Sequence, residues 1–128
     1  MASRDTRLRA DGELSRVQHR ILARLDESCG RMLRMAELAD LLRSSRSRVT
    51  YQVTKLERDG LVRRTADPHD ERGVLVALTD QGRRALETAT RVQLHLLRRQ
   101  VEGALTPTRL EQLACLMDKL REHFPRIC

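Results

Sequence analysis

A mostly helical α+β fold, with one small antiparallel hairpin set among helices, is predicted by three features of the sequence. Apolar residues, 21 leucines foremost, recur at three- and four-residue spacing through most of the 128 positions, as amphipathic helices require. Residues 61–78 break that period with two apolar or β-branched runs around a polar turn holding Pro68 and Gly73, the pattern of a β-hairpin. Ser15, Ser45, Thr79 and Thr106 stand just ahead of helical runs, where a hydroxyl caps the first free amides. With no tryptophan, one tyrosine and one phenylalanine, the core must be aliphatic, and leucine favours helix over strand.

The elements follow in order. Val17, Ile21, Leu22 and Leu25 mark a helix over residues 15–27, closed by Gly30. Met35, Leu38, Leu41 and Leu42 mark a second, short helix, and Val49, Val53 and Leu56 a third that ends at Gly60. Between them lies the polar stretch Arg43-Ser44-Ser45. Strands are predicted at residues 61–65 and 74–78, with the charged segment 66–73 as the hairpin tip. Thr79 opens a long helix to about Leu105, and Thr106 with Pro107 restarts a last one, threonine at the cap and proline at the first helical position. No repeat, low-complexity tract or linker divides the chain, so a single domain is expected, with a lobe at 14–78 and flanking helices at 1–13 and 79–128.

Charge narrows the range of partners. The formal net charge is +7, which favours a polyanion. The apolar runs fall far short of the roughly 20 residues that cross a bilayer, and the first 11 positions carry charge throughout, so a cytoplasmic protein with no membrane partner is expected. Cys29, Cys115 and Cys128 form no Cys-x-x-Cys pair and leave an odd count, which suits reduced thiols.

The feature that carries function is the pair of short helices with a polar turn, the second helix basic at its start, followed by a hairpin. That is a winged helix-turn-helix, which lays its second helix in the major groove of double-stranded DNA. Turning about 100° per residue puts Val49, Val53 and Leu56 on one face and Ser47, Tyr51, Thr54 and Lys55 opposite, with Arg48 and Thr50 on the flanks. From Arg43 to Arg64 there are seven arginines or lysines against two acids, Glu57 and Asp59, so cationic charge concentrates where the groove would be. Arg46 and Arg48 can fork to guanine; the hydroxyls of Ser45, Ser47 and Thr50 can reach phosphates or bases; Tyr51 can touch a thymine methyl. Arg72 is the candidate for the hairpin tip, where a cation enters the adjacent minor groove.

Six motifs follow one another along the chain: Leu14-Ser15-x-x-Gln18, Glu37-Leu38-Ala39, Ser45-Arg46-Ser47-Arg48-Val49-Thr50, Leu56-Glu57-x-x-Gly60-Leu61-Val62-x-Arg64, Asp67-Pro68-x-Asp70-x-Arg72 and Leu78-Thr79-x-x-Gly82. On these, the stretch from Leu14 to Leu86 resembles the MarR family of transcriptional regulators. It implies a homodimeric regulator, commonly a repressor on a palindromic operator, in which Asp70 supports the wing by holding Arg72 toward DNA. It also implies release by a small, often aromatic, molecule between the DNA-binding and dimer regions, although the sequence itself names no effector. Three positions depart from the family's habit. Arg34 stands where a capping serine or threonine is common, Arg43-Ser44 fills a turn that often holds glycine and an aliphatic residue, and Glu71 adds an acid near phosphates unless Arg72 or Arg64 takes it up.

A homodimer is also expected from periodicity alone. Ala85, Ala89, Val92 and Leu96 lie on one side of the long helix, and Leu94, Leu97, Val101 and Leu105 on the other; the last helix adds Leu110, Leu113, Met117, Leu120 and Phe124. One apolar face can pack on its own domain, and the second asks for a partner. With only residues 1–12 ahead of the Leu14-Ser15 motif, that dimer is expected to be weak. An enzyme is not expected, nor is a cofactor or metal, because His19, His69, His95 and His123 form no ligand pair at helical spacing. The alternatives are a metal- or redox-sensing regulator, Cys29 being the thiol with basic and glycine neighbours, and an architectural winged helix that reads backbone alone.

Overall fold

The computed structural model describes residues 14–123; the roles expected of residues 1–13, Phe124 and Cys128 lie outside them. Among the described residues the elements are α1 (Arg16–Glu27), β1 (Met32–Arg34), α2 (Met35–Leu42), α3 (Arg46–Arg58), β2 (Val62–Asp67), β3 (Asp70–Leu78), α4 (Asp80–Glu102) and α5 (Pro107–His123). The chain divides into two compact units, Met1–Ala89 and Thr90–Cys128, with the boundary inside α4.

The first unit is built on an aliphatic core. Ile21, Leu22 and Leu25 of α1, Leu38 of α2, Val49, Val53 and Leu56 of α3, and Val76 of β3 are fully buried, and Leu86 of α4 joins them. Each such side chain contributes roughly 1.5–3 kcal/mol by leaving water. Ser15 caps α1 reciprocally: its hydroxyl accepts from the Gln18 amide at 3.2 Å, and its own amide donates to the Gln18 side chain at 3.1 Å. The helix ends at Glu27, as expected, but the residue that closes it is Ser28, in an extended conformation, and not Gly30. Gly30 instead supplies the positive φ of 69° in the tight turn Cys29–Arg31, which swings the chain into β1.

That strand was not expected. Met32–Arg34 pairs antiparallel with β3, so the predicted two-stranded hairpin is the larger part of a three-stranded sheet ordered β1-β3-β2. Three residues carry too little alternation to announce a strand; pairing with β3 alone defines it. The hairpin itself is longer than predicted. β2 and β3 run to Asp67 and Asp70, with a register shift at Ala66/Asp67, leaving only Pro68 and His69 as the turn. Arg72 therefore stands on β3 rather than at the tip. The polar residues 66–72 hid their strand character because this end of the ribbon is largely solvated and needs no apolar alternation.

A second junction joins the sheet to α4. The Thr79 hydroxyl donates to the Gly60 carbonyl at 2.7 Å and accepts from the Gly82 amide at 3.0 Å, while the Thr79 amide donates to the Leu61 carbonyl at 3.1 Å. Gly82 is required here: a Cβ would lie 2.0 Å from the Leu61 carbonyl oxygen.

In the second unit, Thr106 caps α5 by accepting from the Arg109 amide at 3.3 Å. None of its described residues is buried. Leu94, Leu97, Met117 and Leu120 are each more than half exposed, as is Leu116, while Val101 and Leu105 are partly covered. Cys115 is a free, exposed thiol. Cys29 is disulfide-bonded, against the expectation of reduced thiols.

Candidate nucleic-acid interface

Helix α3 is held by its apolar side and offers the other. Ser45, in an extended conformation, accepts from the Arg48 amide at 3.3 Å and so starts the helix, and its hydroxyl lies 3.4 Å from that of Ser47. Arg46, Ser47, Arg48 and Tyr51 are exposed, and Thr50 is half-buried beside them. The expected groove-facing residues at the start of the helix are thus brought together on one solvated surface. Among the described residues, no carboxylate forms a salt bridge with Arg43, Arg46 or Arg48. Lys55 sits with its ammonium 4.4 Å from the Tyr51 ring centroid, a cation–π contact that stiffens both side chains.

Farther along, the candidate Thr54 also makes contacts within the fold. The Thr54 hydroxyl donates to the Thr50 carbonyl at 2.8 Å and receives a hydrogen bond from Arg64 at 3.1 Å. Arg64 also meets Glu57 three ways: its amide donates at 2.8 Å, Nε at 3.0 Å, and a terminal nitrogen lies 3.0 Å from the carboxylate. The Arg64 amide, ahead of the guanidinium, holds the Glu57 carboxyl below the ordinary glutamate range. This clip ties α3 to the wing strand β2. Sequence reasoning missed it, since a pairing across seven residues between a helix and a strand has no periodic signal.

The wing lies alongside. An open groove of about 550 Å³ separates it from α3, lined by Met35, Arg46, Thr50, Arg64, Glu71 and Arg72 among others. Arg72 is exposed, and among the described residues neither it nor Glu71 makes a salt bridge, Arg64 being committed to Glu57. The groove holds Arg46 from the helix and Arg64 and Arg72 from the wing, with Glu71 among them.

The sequence profile of the MarR family matches residues 13–73, from the cap of α1 through the wing. A MarR family transcriptional regulator from Streptomyces coelicolor, Sco3205, solved in complex with DNA, is similar at 35% identity and a TM-score of 0.70, covering 91% of this chain and 72% of that one. The chain belongs to the MarR family. AbsC, another MarR family regulator from Streptomyces coelicolor, is similar at 31% identity and a TM-score of 0.68, over 93% of this chain and 80% of its own. The homoprotocatechuate degradative operon repressor of Escherichia coli is 34% identical over 85 residues, which is 66% of this chain and 55% of that protein. The chain spans about half the length of the curated relatives it matches.

Two MarR-like positions take particular forms here. The Asp70 carboxylate accepts from the Arg72 backbone amide at 3.0 Å, so it shapes the ribbon that carries Arg72 and leaves the guanidinium itself unclamped. Arg43 closes α2 in the left-handed region at φ 50° and ψ 45°, the conformation for which glycine is the usual residue. Its amide and that of Ser44 return to the carbonyls of Asp40 and Ala39 at 3.1 Å. A non-glycine residue in this region carries backbone strain.

Proposed function

We propose that this protein is a sequence-specific DNA-binding transcriptional regulator that acts as a homodimer. The observation that carries the reading is the exposed start of α3, where Arg46, Ser47, Arg48 and Tyr51 stand together without a salt-bridged acid among the described residues, beside a wing that presents Arg72. Arginine fork contacts and hydroxyls at a helix N-terminus are what base edges and phosphates in a major groove accept. Ser45 acts mainly as the cap, with Arg46, Arg48, Thr50 and Tyr51 as the readers, Lys55 on the flank and Arg72 in the minor groove. Repression is favoured over activation by the similarity to an operon repressor.

The dimer reading rests on the apolar stripe of Leu94, Leu97, Val101 and Leu105, together with Leu113, Met117 and Leu120. Most of these are about half exposed in a single chain, and apolar patches of this kind mark interfaces. A two-fold pair presents two recognition helices about one DNA turn apart, roughly 34 Å, and so asks for a palindrome.

Selection from a random duplex pool tests the whole reading. Enrichment of one palindromic motif, bound with a steep decline as salt rises, is the expected result. Binding that ignores sequence would replace regulation with an architectural role, and insensitivity to salt would remove DNA as the partner.

A further inference from the structure

Among the described residues, one ion pair joins the wing turn to the start of the first helix of the helix-turn-helix, in addition to the β1–β3 pairing. Arg34 is both the last residue of β1 and the residue that precedes α2. Its Nε lies 3.0 Å from Asp67 Oδ2, and the Asp67 side chain is only 2% exposed. The other Asp67 oxygen accepts from the His69 amide at 2.9 Å and so shapes the wing turn. Oδ2 has no hydrogen bond of good geometry, so its buried charge is compensated chiefly by the Arg34 cation beside it. β3 lies between β1 and β2 in the sheet, and the pair has to reach past it. Gly73 opens the way: a Cβ there would stand 2.9 Å from Asp67 Cβ and 3.1 Å from Oδ2.

We propose that Arg34 is a positioning residue for the wing, latching the buried Asp67 carboxylate across Gly73 so that Arg72 is presented at a fixed height beside α3. The proposal rests on the DNA-binding reading above for its consequence, though not for the latch itself. A buried carboxylate that loses its partner is strongly disfavoured and turns toward water. Here that rotation frees the His69 amide and loosens the register shift at Ala66/Asp67. Arg72, five residues beyond Asp67 on the same ribbon, then loses its definition.

The test uses the full-length protein in two measurements. In the free protein, amide hydrogen exchange is followed at residues 66–73 for wild type, Arg34→Gln, Arg34→Lys and the double variant Arg34→Gln with Asp67→Asn. Duplexes that the protein selects from a random pool, rebuilt with A·T-rich or G·C-rich flanks, are then titrated with the same set, each with and without Arg72→Ala. Arg34→Gln is expected to speed exchange at His69 and Arg72 and to abolish the preference for A·T flanks. The expected affinity loss is roughly tenfold, as for one arginine contact, with little added by Arg72→Ala in that background. Arg34→Lys restores most of both. The double variant, which leaves no unpaired buried charge, keeps the fold if Arg34→Gln does not, and shows the same loosened wing. Unchanged exchange in the charge-free variants, or a full additional loss from Arg72→Ala, overturns the latch. If wild type selects no duplex, the DNA reading fails on its own, and the exchange measurement still decides for or against the latch.

Discussion

The two units use the same helical code with opposite outcomes. In α1 to α3, most leucines and valines at three- and four-residue spacing are buried, as at Leu22, Leu38 and Val53, with Val17 and Leu41 left exposed at the margin. In the second unit, Leu94, Leu97, Met117 and Leu120 follow the same spacing and are 53–57% exposed. Periodicity says that a face wants cover. It does not say whether the cover comes from the same chain.

Glycines should separate the units most sharply. Gly82→Ala puts a Cβ 2.0 Å from the Leu61 carbonyl, which only movement of α4 or β2 can relieve, so a loss of roughly 3–5 kcal/mol is expected in urea unfolding. At Gly103 the nearest atom to a new Cβ is 3.5 Å away, an ordinary contact, and Gly103→Ala should be close to neutral. Equal effects at the two positions would erase the distinction between a packed and an unpacked unit.

Next in size is the effect of charging the exposed stripe. Leu97→Glu with Val101→Glu should leave the circular dichroism and melting of the first unit unchanged while weakening self-association by roughly 2–4 kcal/mol, as for loss of interface anchors. Sedimentation at several concentrations measures it. A wild type that stays monomeric at high concentration would break the dimer reading and leave the stripe unexplained.

Within the first unit the contrast is between side chains that read and side chains that hold. Arg48→Ala should cost roughly 1–3 kcal/mol on a selected duplex and much less on scrambled DNA; fluorescence anisotropy with both duplexes would show equal losses if Arg48 only touches phosphate. Glu57 belongs to the second kind. Because the Arg64 contacts lower its pKa in the folded state, its contribution is present above the unfolded pKa and is lost as pH falls through the lower, folded one. Stability of the wild type should therefore sag in mild to strong acid, and Glu57→Gln should be less stable near neutrality with a shallower acid decline. Parallel pH profiles would show that the clip carries no charge-dependent stability.

The smallest effect is expected at the turn. Arg43 occupies the left-handed region at φ 50°, so Arg43→Gly should raise stability by about 0.5–1 kcal/mol in thermal melts. A fall instead would mean that the arginine side chain stabilises the turn more than its backbone strains it.

Much of this protein was legible in its sequence wherever the determinant is local. Caps at Ser15, Ser45 and Thr106, the buried faces of α1 to α3, and the basic start of α3 each depend on residues within a turn or two of one another, and periodicity and side-chain chemistry report them directly. What only the tertiary structure decided are pairings between distant residues. They comprise the three-residue β1 that exists through β3, the Arg64 clip on Glu57 and Thr54, the Arg34 contact with buried Asp67, and the need for glycine at Gly73 and Gly82. Those depend on which backbone passes within a few ångströms of which other, a quantity fixed by packing the whole core and written in no single stretch of the chain.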